Sequence, residues 1–181
     1  MKRITAFGDS IMGGIVLDKI DEQASPRYTI LKDSFSNRCQ SRLDIEIKNH
    51  GRFGNTTHRG LRELERWQEQ VAESEFVVLE FGGNDCDHSW RQIADNPDGE
   101  HLPITSLDRF EEQYRQMITK VRELGSKPVL LSLPPIIADR YFEMFTRAMD
   151  TTRRSNVMRW LDGCVENITQ WHEMYNLRLF K

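Results

Sequence analysis

Three polar segments of the sequence, residues 8–14, 49–57 and 82–85, each follow a short apolar run and contain groups suited to acyl transfer. The first segment contains Ser10, whose hydroxyl is a potential nucleophile. The third contains Asn84, whose amide can donate a hydrogen bond without carrying a charge. Acyl transfer needs an exposed nucleophilic oxygen and hydrogen-bond donors directed at the oxyanion of the tetrahedral intermediate. The three segments could supply both if the fold brings them together.

Taken singly, each segment also has an ordinary structural explanation. Ser10 could cap a helix after a strand-ending turn, and Gly-Gly-Asn-Asp at 82–85 is a good turn sequence. The glycine-rich segment 8–14 could instead cradle a phosphate, although it lacks the G-x-x-x-x-G-K-S/T and G-x-G-x-x-G patterns. A flavodoxin-like nucleotide or flavin binder is therefore one alternative function.

Short apolar runs predict the strands that must position these segments. Buried strands are expected at residues 4–7, 43–47, 76–81 and 128–133. Because helical patterns alternate with these runs, we expect an α/β domain with a parallel sheet covered by helices. Ligand sites in such sheets lie on the loops that follow the carboxyl ends of the strands, which is where the three polar segments occur.

Apolar residues at spacings of three and four predict the helices between the strands. The clearest pattern covers residues 106–124, with Thr105 and Asp108 at capping-box spacing and Gly125 as its end. Two further helices are expected over 58–74 and from about residue 156 onward.

The order and spacing of the three segments resemble the SGNH (GDSL) family of serine ester hydrolases. The resemblance is carried by Gly8-Asp9-Ser10, by Gly54 in an Asn-x-x-x-x-Gly-Asn-Thr stretch, and by Gly83-Asn84-Asp85. It implies a flavodoxin-like three-layer α/β/α sandwich, with a five-stranded parallel sheet in the family and about four strands here. It also implies a carboxylic ester hydrolase with Ser10 as nucleophile. The oxyanion hole would comprise the N–H of Ser10, the N–H of Gly54 and the side chain of Asn84. A glycine N–H can approach an oxyanion closely because no Cβ intervenes.

The family's general base is a histidine of an Asp-x-x-His element after the fifth strand. Only four strands are predicted before Lys181, so we expect a single domain over 1–181 that is C-terminally incomplete and, as a fragment, nearly inactive. His101, within Asp98-Gly99-Glu100-His101, or His88 could replace the missing base, because both follow the third strand. His172 is expected to be a helix-face residue. An exposed sheet edge would also favour a homodimer.

Composition narrows the remaining functions. The net charge of −3 over 181 residues gives no electrostatic reason to expect nucleic acid as a partner, and no apolar run is long enough to span a membrane. We expect no cofactor and no metal, because no ligand spacing for one is found. Three widely spaced cysteines and a first strand that begins at the N-terminus favour a cytoplasmic location.

The expected partner is a small acyl ester, with Trp90 and the loop over 85–103 as plausible pocket walls. The other alternative is a non-catalytic domain that binds an acyl or carbohydrate ligand.

Overall fold

A parallel sheet of four strands forms the centre of the computed structural model, which describes residues 1–19 and 27–180. The order across the sheet is β4-β1-β5-β6. The strands are β1 (Lys2–Gly8), β4 (Ile45–Asn49), β5 (Phe76–Glu80) and β6 (Lys127–Leu130). All four predicted strands are thus confirmed, with their ends shifted by at most three residues. The parallel α/β architecture is confirmed as well.

An antiparallel hairpin after β1 was not expected from the sequence. It pairs β2 (Ile15–Lys19) with β3 (Arg27–Ile30). The four residues of β3 are all exposed, so this strand has no buried face that an apolar pattern could reveal.

Eight helices surround the sheet within the described residues. They are α1 (Phe35–Arg42), α2 (Thr57–Arg66), α3 (Gln68–Ala72), α4 (Trp90–Asp95), α5 (Leu107–Glu123), α6 (Ala138–Thr146), α7 (Thr151–Trp160) and α8 (Asn167–Arg178). The sequence predicted α5 closely, and Gly125 ends it in a left-handed conformation with φ of 85°. The predicted capping box is not formed, because Ser106 is the N-cap and no side chain caps the helix.

Two of the three predicted helices are each divided in the structure. The helix expected over 58–74 breaks at Trp67 into α2 and α3. The helix expected from residue 156 is two helices, α7 and α8, because Asp162 and Gly163 adopt left-handed conformations with φ of 53° and 71°. Apolar residues continue at helical spacing through this turn, so their periodicity did not reveal it.

Two groups of buried side chains hold the fold together. The first packs one face of the sheet, including Phe7 and Leu79, against α2, α3 and α5. The second joins α4, α6, α7 and α8 around residues such as Ile93 and Leu161. The first group fixes the strands whose ends carry the polar loops, and the second builds a helical wall beside those ends.

Strand β6 is an edge of the sheet in the described part of the chain, where it pairs only with β5. The homodimer expected from such an edge stays a prediction. None of the helices that the structure describes is long and apolar enough to cross a membrane.

Candidate active site

The three polar loops meet at the carboxyl ends of β1, β4 and β5. The sheet register brings these ends level, since Gly8 lies opposite Glu80 and Ala6 lies opposite Asn49. The Asn84 amide nitrogen then joins all three loops, because it donates to Asp9 Oδ2 and to the carbonyl oxygen of Asn55, each over 3.0 Å. The convergence expected from the sequence is therefore present at the level of the loops.

A tight turn around Ser10 follows β1. The Asp9 carboxylate accepts a hydrogen bond from the backbone N–H of Ile11 over 2.7 Å, and the carbonyl oxygen of Ser10 accepts one from Ile15 over 2.8 Å. Gly8 is needed at the start of the turn, because a Cβ there would lie 2.6 Å from the carbonyl oxygen of Glu80. The half-buried Ser10 is thereby fixed at the mouth of a cavity.

The loop after β4 is held against the nucleophile loop by the backbone of Gly8. The carbonyl oxygen of Gly8 accepts hydrogen bonds from the Asn55 side chain and the Arg52 backbone, both over 3.2 Å. Gly54 has φ of 67°, and a Cβ added there would meet no protein atom within 4 Å. Within the protein, glycine at position 54 is thus explained by its left-handed backbone and not by crowding.

The loop after β5 is anchored below Asn84 by a buried carboxylate. Asp85 is fully buried and accepts hydrogen bonds from the backbone and the hydroxyl of Thr57, the latter over 2.6 Å. This contact fixes the start of α2 relative to the third loop. Both amide hydrogens of Asn84 already have acceptors in this arrangement, so its donation to a substrate oxyanion requires that one of these bonds be shared or exchanged.

A cavity of about 250 Å³ opens beside Ser10 and Asn84. Its wall is mainly aromatic and apolar, and it includes Trp90, Tyr141, Trp171, Pro134, Pro135 and Ile168. Trp90 thus occupies the pocket position expected from the sequence, although it is also largely buried. Gly54 is not one of the lining residues and approaches the site only through its neighbour Asn55.

His88 lines the cavity but is enclosed by three tryptophan rings. Its ring centroid lies 5.7 Å from Trp90, 5.1 Å from Trp160 and 5.0 Å from Trp171. Its buried Nδ1 has no hydrogen-bond partner. Burial in this apolar cluster lowers the pKa of His88 to about 4, so the imidazole is held neutral.

His172 also lines the cavity, which the sequence did not reveal, because the helical pattern marked it only as a helix-face residue. It is 5% exposed, and its Nδ1 has no hydrogen-bond partner, with Glu173 Oε1 3.8 Å away. Burial lowers the pKa of His172. By contrast, His101 lies outside the cavity, where its Nε2 contacts the carbonyl oxygen of Asn96 over 2.7 Å.

Glu80 is a further buried group that sequence reasoning missed. It is 3% exposed at the end of β5, and its carboxyl oxygens form no hydrogen bond of good geometry, although the backbone N–H groups of Asp9 and Met12 lie nearby. The only available signal was a charged residue inside an otherwise apolar run. Burial and the adjacent charge of Asp9 raise the pKa of Glu80 to about 8.

A comparison with family models identifies the family of this chain. The chain belongs to the GDSL-like lipase/acylhydrolase family, whose family model matches residues 6–174. The protein is therefore an enzyme of the esterase and lipase class. No curated protein matches the sequence. Among the described residues, no group of histidine, cysteine, aspartate and glutamate side chains is arranged to hold a metal ion.

Solved structures of esterases and lipases are similar to this chain. A lipase from a goat rumen metagenome is 18% identical, with 93% of this chain and 74% of that chain covered and a TM-score of 0.52. An esterase from Pseudoalteromonas sp. is 17% identical over 95% of this chain and 75% of its own, with a TM-score of 0.49. An acetylxylan esterase from Geobacillus stearothermophilus is 21% identical over 93% and 73%, with a TM-score of 0.48. The first of these similarities supports the shared fold.

Proposed function

We propose that this chain hydrolyses carboxylic esters with Ser10 as the nucleophile and an oxyanion hole made of the Ser10 N–H, the Gly54 N–H and the Asn84 side chain. The observation that carries the proposal is the position of Asn84. Its amide lines the same cavity as Ser10, and it is hydrogen-bonded to Asp9 and Asn55, the chain neighbours of the two other members of the proposed site.

The chemistry follows from these positions. The Ser10 oxygen attacks the ester carbonyl carbon, its proton passes to a general base, and the carbonyl oxygen becomes an oxyanion. The protonated base then gives this proton to the departing alcohol, and water hydrolyses the acyl-enzyme by the same steps. Each donor of the oxyanion hole typically contributes about 3–4 kcal/mol to the stability of the transition state. Asn84 can donate to the oxyanion only after one of its present hydrogen bonds is shared or exchanged, and Gly54 does not line the cavity.

The general base is not assigned to His88 or His172. A triad histidine needs an acceptor at Nδ1 that orients the ring and stabilises the imidazolium. His88 has no such partner, and the Glu173 carboxylate lies 3.8 Å from His172 Nδ1, beyond hydrogen-bond distance. Burial lowers the pKa of both rings. His101 is engaged by a backbone carbonyl away from the cavity. The general base of the proposed reaction is therefore not assigned to any of these three histidines.

The cavity favours a small acyl group. Its volume of about 250 Å³ lies below the range that accommodates drug-sized ligands, and its walls are mostly aromatic side chains and prolines. A short or flat apolar group would fit inside such a pocket. The phosphate-binding alternative is disfavoured, because the buried carboxyl groups of Asp9 and Glu80 lie under the loop that would bind the phosphate.

Hydrolysis of p-nitrophenyl acetate by the wild type and by Ser10→Ala tests the proposal. We expect slow turnover that Ser10→Ala removes and that His88→Ala and His172→Ala leave within a few-fold. Loss of turnover in His172→Ala alone would instead identify that ring as the base. Turnover that survives Ser10→Ala would reject the assignment of the nucleophile. Saturable binding of an acyl ligand without any turnover would favour the non-catalytic binding domain.

A further inference from the structure

Two buried carboxyl groups, those of Asp9 and Glu80, lie side by side beneath the nucleophile loop. They are 2% and 3% exposed. A Cβ on Gly8 would come within 2.9 Å of Glu80 Oε2, which places this carboxyl group against the backbone that leads into Asp9. In the described ranges, neither group forms an ion pair with a lysine or an arginine.

The hydrogen bonds of the two groups are unequal. The Asp9 carboxylate accepts from the backbone N–H of Ile11 and from the side chain of Asn84. The Glu80 oxygens form no hydrogen bond of comparable geometry, although the backbone N–H groups of Asp9 and Met12 lie near them. Two adjacent carboxylates buried without a cation repel each other and lose hydration, whereas one shared proton removes the repulsion and gives the second group a partner.

We propose that Asp9 and Glu80 share one proton and that Glu80 is thereby a positioning residue for Ser10 and Asn84. The proton resides on Glu80, whose O–H donates to the Asp9 carboxylate. Asp9 keeps its negative charge and continues to accept from Ile11, in the Ser10 turn, and from Asn84. The shared proton does not depend on the proposed function. The positioning role of Glu80 rests on the proposed ester hydrolysis.

The charges around the pair determine its response to pH. Burial raises the pKa of both groups, and the charge of Asp9 adds to the rise for Glu80, whose pKa is about 8. Asp85 contributes a further negative charge near Asp9, and the nearby Tyr114 hydroxyl is engaged with the backbone of Phe81. No charge in this set favours ionisation of Glu80, and only the backbone N–H groups of Asp9 and Met12 partly offset the rise of its pKa.

The sign of the stability change follows from proton binding. Between pH 4.5, the ordinary pKa of a glutamate, and about 8, the folded state holds the Glu80 proton while the unfolded state releases it. The contribution of this proton to stability is therefore complete at the lower pH. It decreases as the pH rises and is lost above about 8. Above that pH two negative charges face each other under the Ser10 turn.

Carbon-13 NMR of protein labelled at the glutamate carboxyl carbons tests the pair directly. We expect one resonance that titrates with a midpoint near pH 8 in the wild type and is missing from Glu80→Gln. The control variant Glu123→Gln, which changes an exposed glutamate of α5, should retain it. A wild-type spectrum in which every glutamate titrates below about pH 6 overturns the proposal, whether or not Glu80→Gln folds.

The positioning role is measured by the pH dependence of ester hydrolysis. Because Glu80→Gln keeps a neutral donor at all pH values, its kcat relative to the wild type should rise about tenfold between roughly pH 7 and 9, with KM little changed. A constant ratio would contradict the role. If no Ser10-dependent hydrolysis is found, the proposed function fails, and the NMR titration still decides whether the proton is shared.

Discussion

The side-chain amide of Asn84 donates a hydrogen bond to the carboxylate of Asp9 over 3.0 Å, although 75 residues separate them in the sequence. Asp9 directly precedes the proposed nucleophile, and Asn84 is a proposed oxyanion donor. The bond therefore makes the position of each dependent on the other. It also occupies a hydrogen of the amide that the oxyanion would need.

Removal of the Asn84 amide should affect the transition state more than substrate binding. We expect Asn84→Ala to lower the kcat of ester hydrolysis by about 10²–10³-fold while KM changes only slightly. Steady-state kinetics with a short-chain ester measures both. Asn37→Ala, which removes an exposed amide of α1 that contacts the carbonyl of Lys32, serves as the control and should behave like the wild type. Equal kcat values in the two variants would exclude Asn84 from the oxyanion hole.

A methyl group at position 54 should reduce stability but preserve catalysis. Gly54 has φ of 67°, a conformation that costs an L-residue about 1–2 kcal/mol, while open space surrounds the added Cβ. The free energy of unfolding of Gly54→Ala, measured in urea, should fall by about that amount. Because the N–H at position 54 is retained, kcat should stay within a few-fold of the wild type. A decrease of kcat as large as that of Asn84→Ala would show that the substrate leaves no room for a side chain at position 54.

A methyl group at position 8 should reduce both stability and catalysis. A Cβ on Gly8 would lie 2.6 Å from the Glu80 carbonyl oxygen and 2.6 Å from Met12 Cβ, so the nucleophile turn would have to shift. We expect Gly8→Ala to lower the free energy of unfolding by about 1–3 kcal/mol and also to lower kcat substantially. Urea unfolding and ester hydrolysis measure the two effects. Unchanged stability would mean that the first strand and the Glu80 carboxyl are not packed as described.

His88 should make the fold sensitive to acid. Burial lowers its pKa from 6.5 to about 4. Between these pH values the unfolded state binds a proton at His88 that the folded state does not bind. Stability from this group is present above pH 6.5 and is lost as the pH falls toward 4. Urea unfolding across this range should show a shallower pH dependence for His88→Phe, which keeps an aromatic ring. A remaining slope is expected from His172, whose pKa is lowered too. Identical slopes for wild type and variant would contradict the burial of His88.

The sequence predicted the parts of the fold that have a clear buried face. The four strands of the sheet and α5 were found from their apolar patterns. The hairpin of β2 and β3 was missed because the residues of β3 are exposed. The turn between α7 and α8 was missed because apolar side chains continue at helical spacing across Gly163.

The site could be predicted only as far as local motifs reach. Ser10, Gly54 and Asn84 follow strand ends, so sheet geometry indicated that their loops would meet. The burial of His172 and the pairing of Glu80 with Asp9 depend on packing between distant elements, and no local pattern records them. The existing bonds of the Asn84 amide likewise required the structure.

The most direct test of the account is a crystal structure of the protein with an alkyl phosphonate bound covalently to the Ser10 oxygen. The tetrahedral phosphorus mimics the intermediate, and one of its oxygens takes the place of the oxyanion. We predict that this oxygen lies within about 2.7–3.1 Å of the Gly54 nitrogen and of Asn84 Nδ2. An adduct on another residue, or an oxygen that faces away from both nitrogens, would contradict the proposed site.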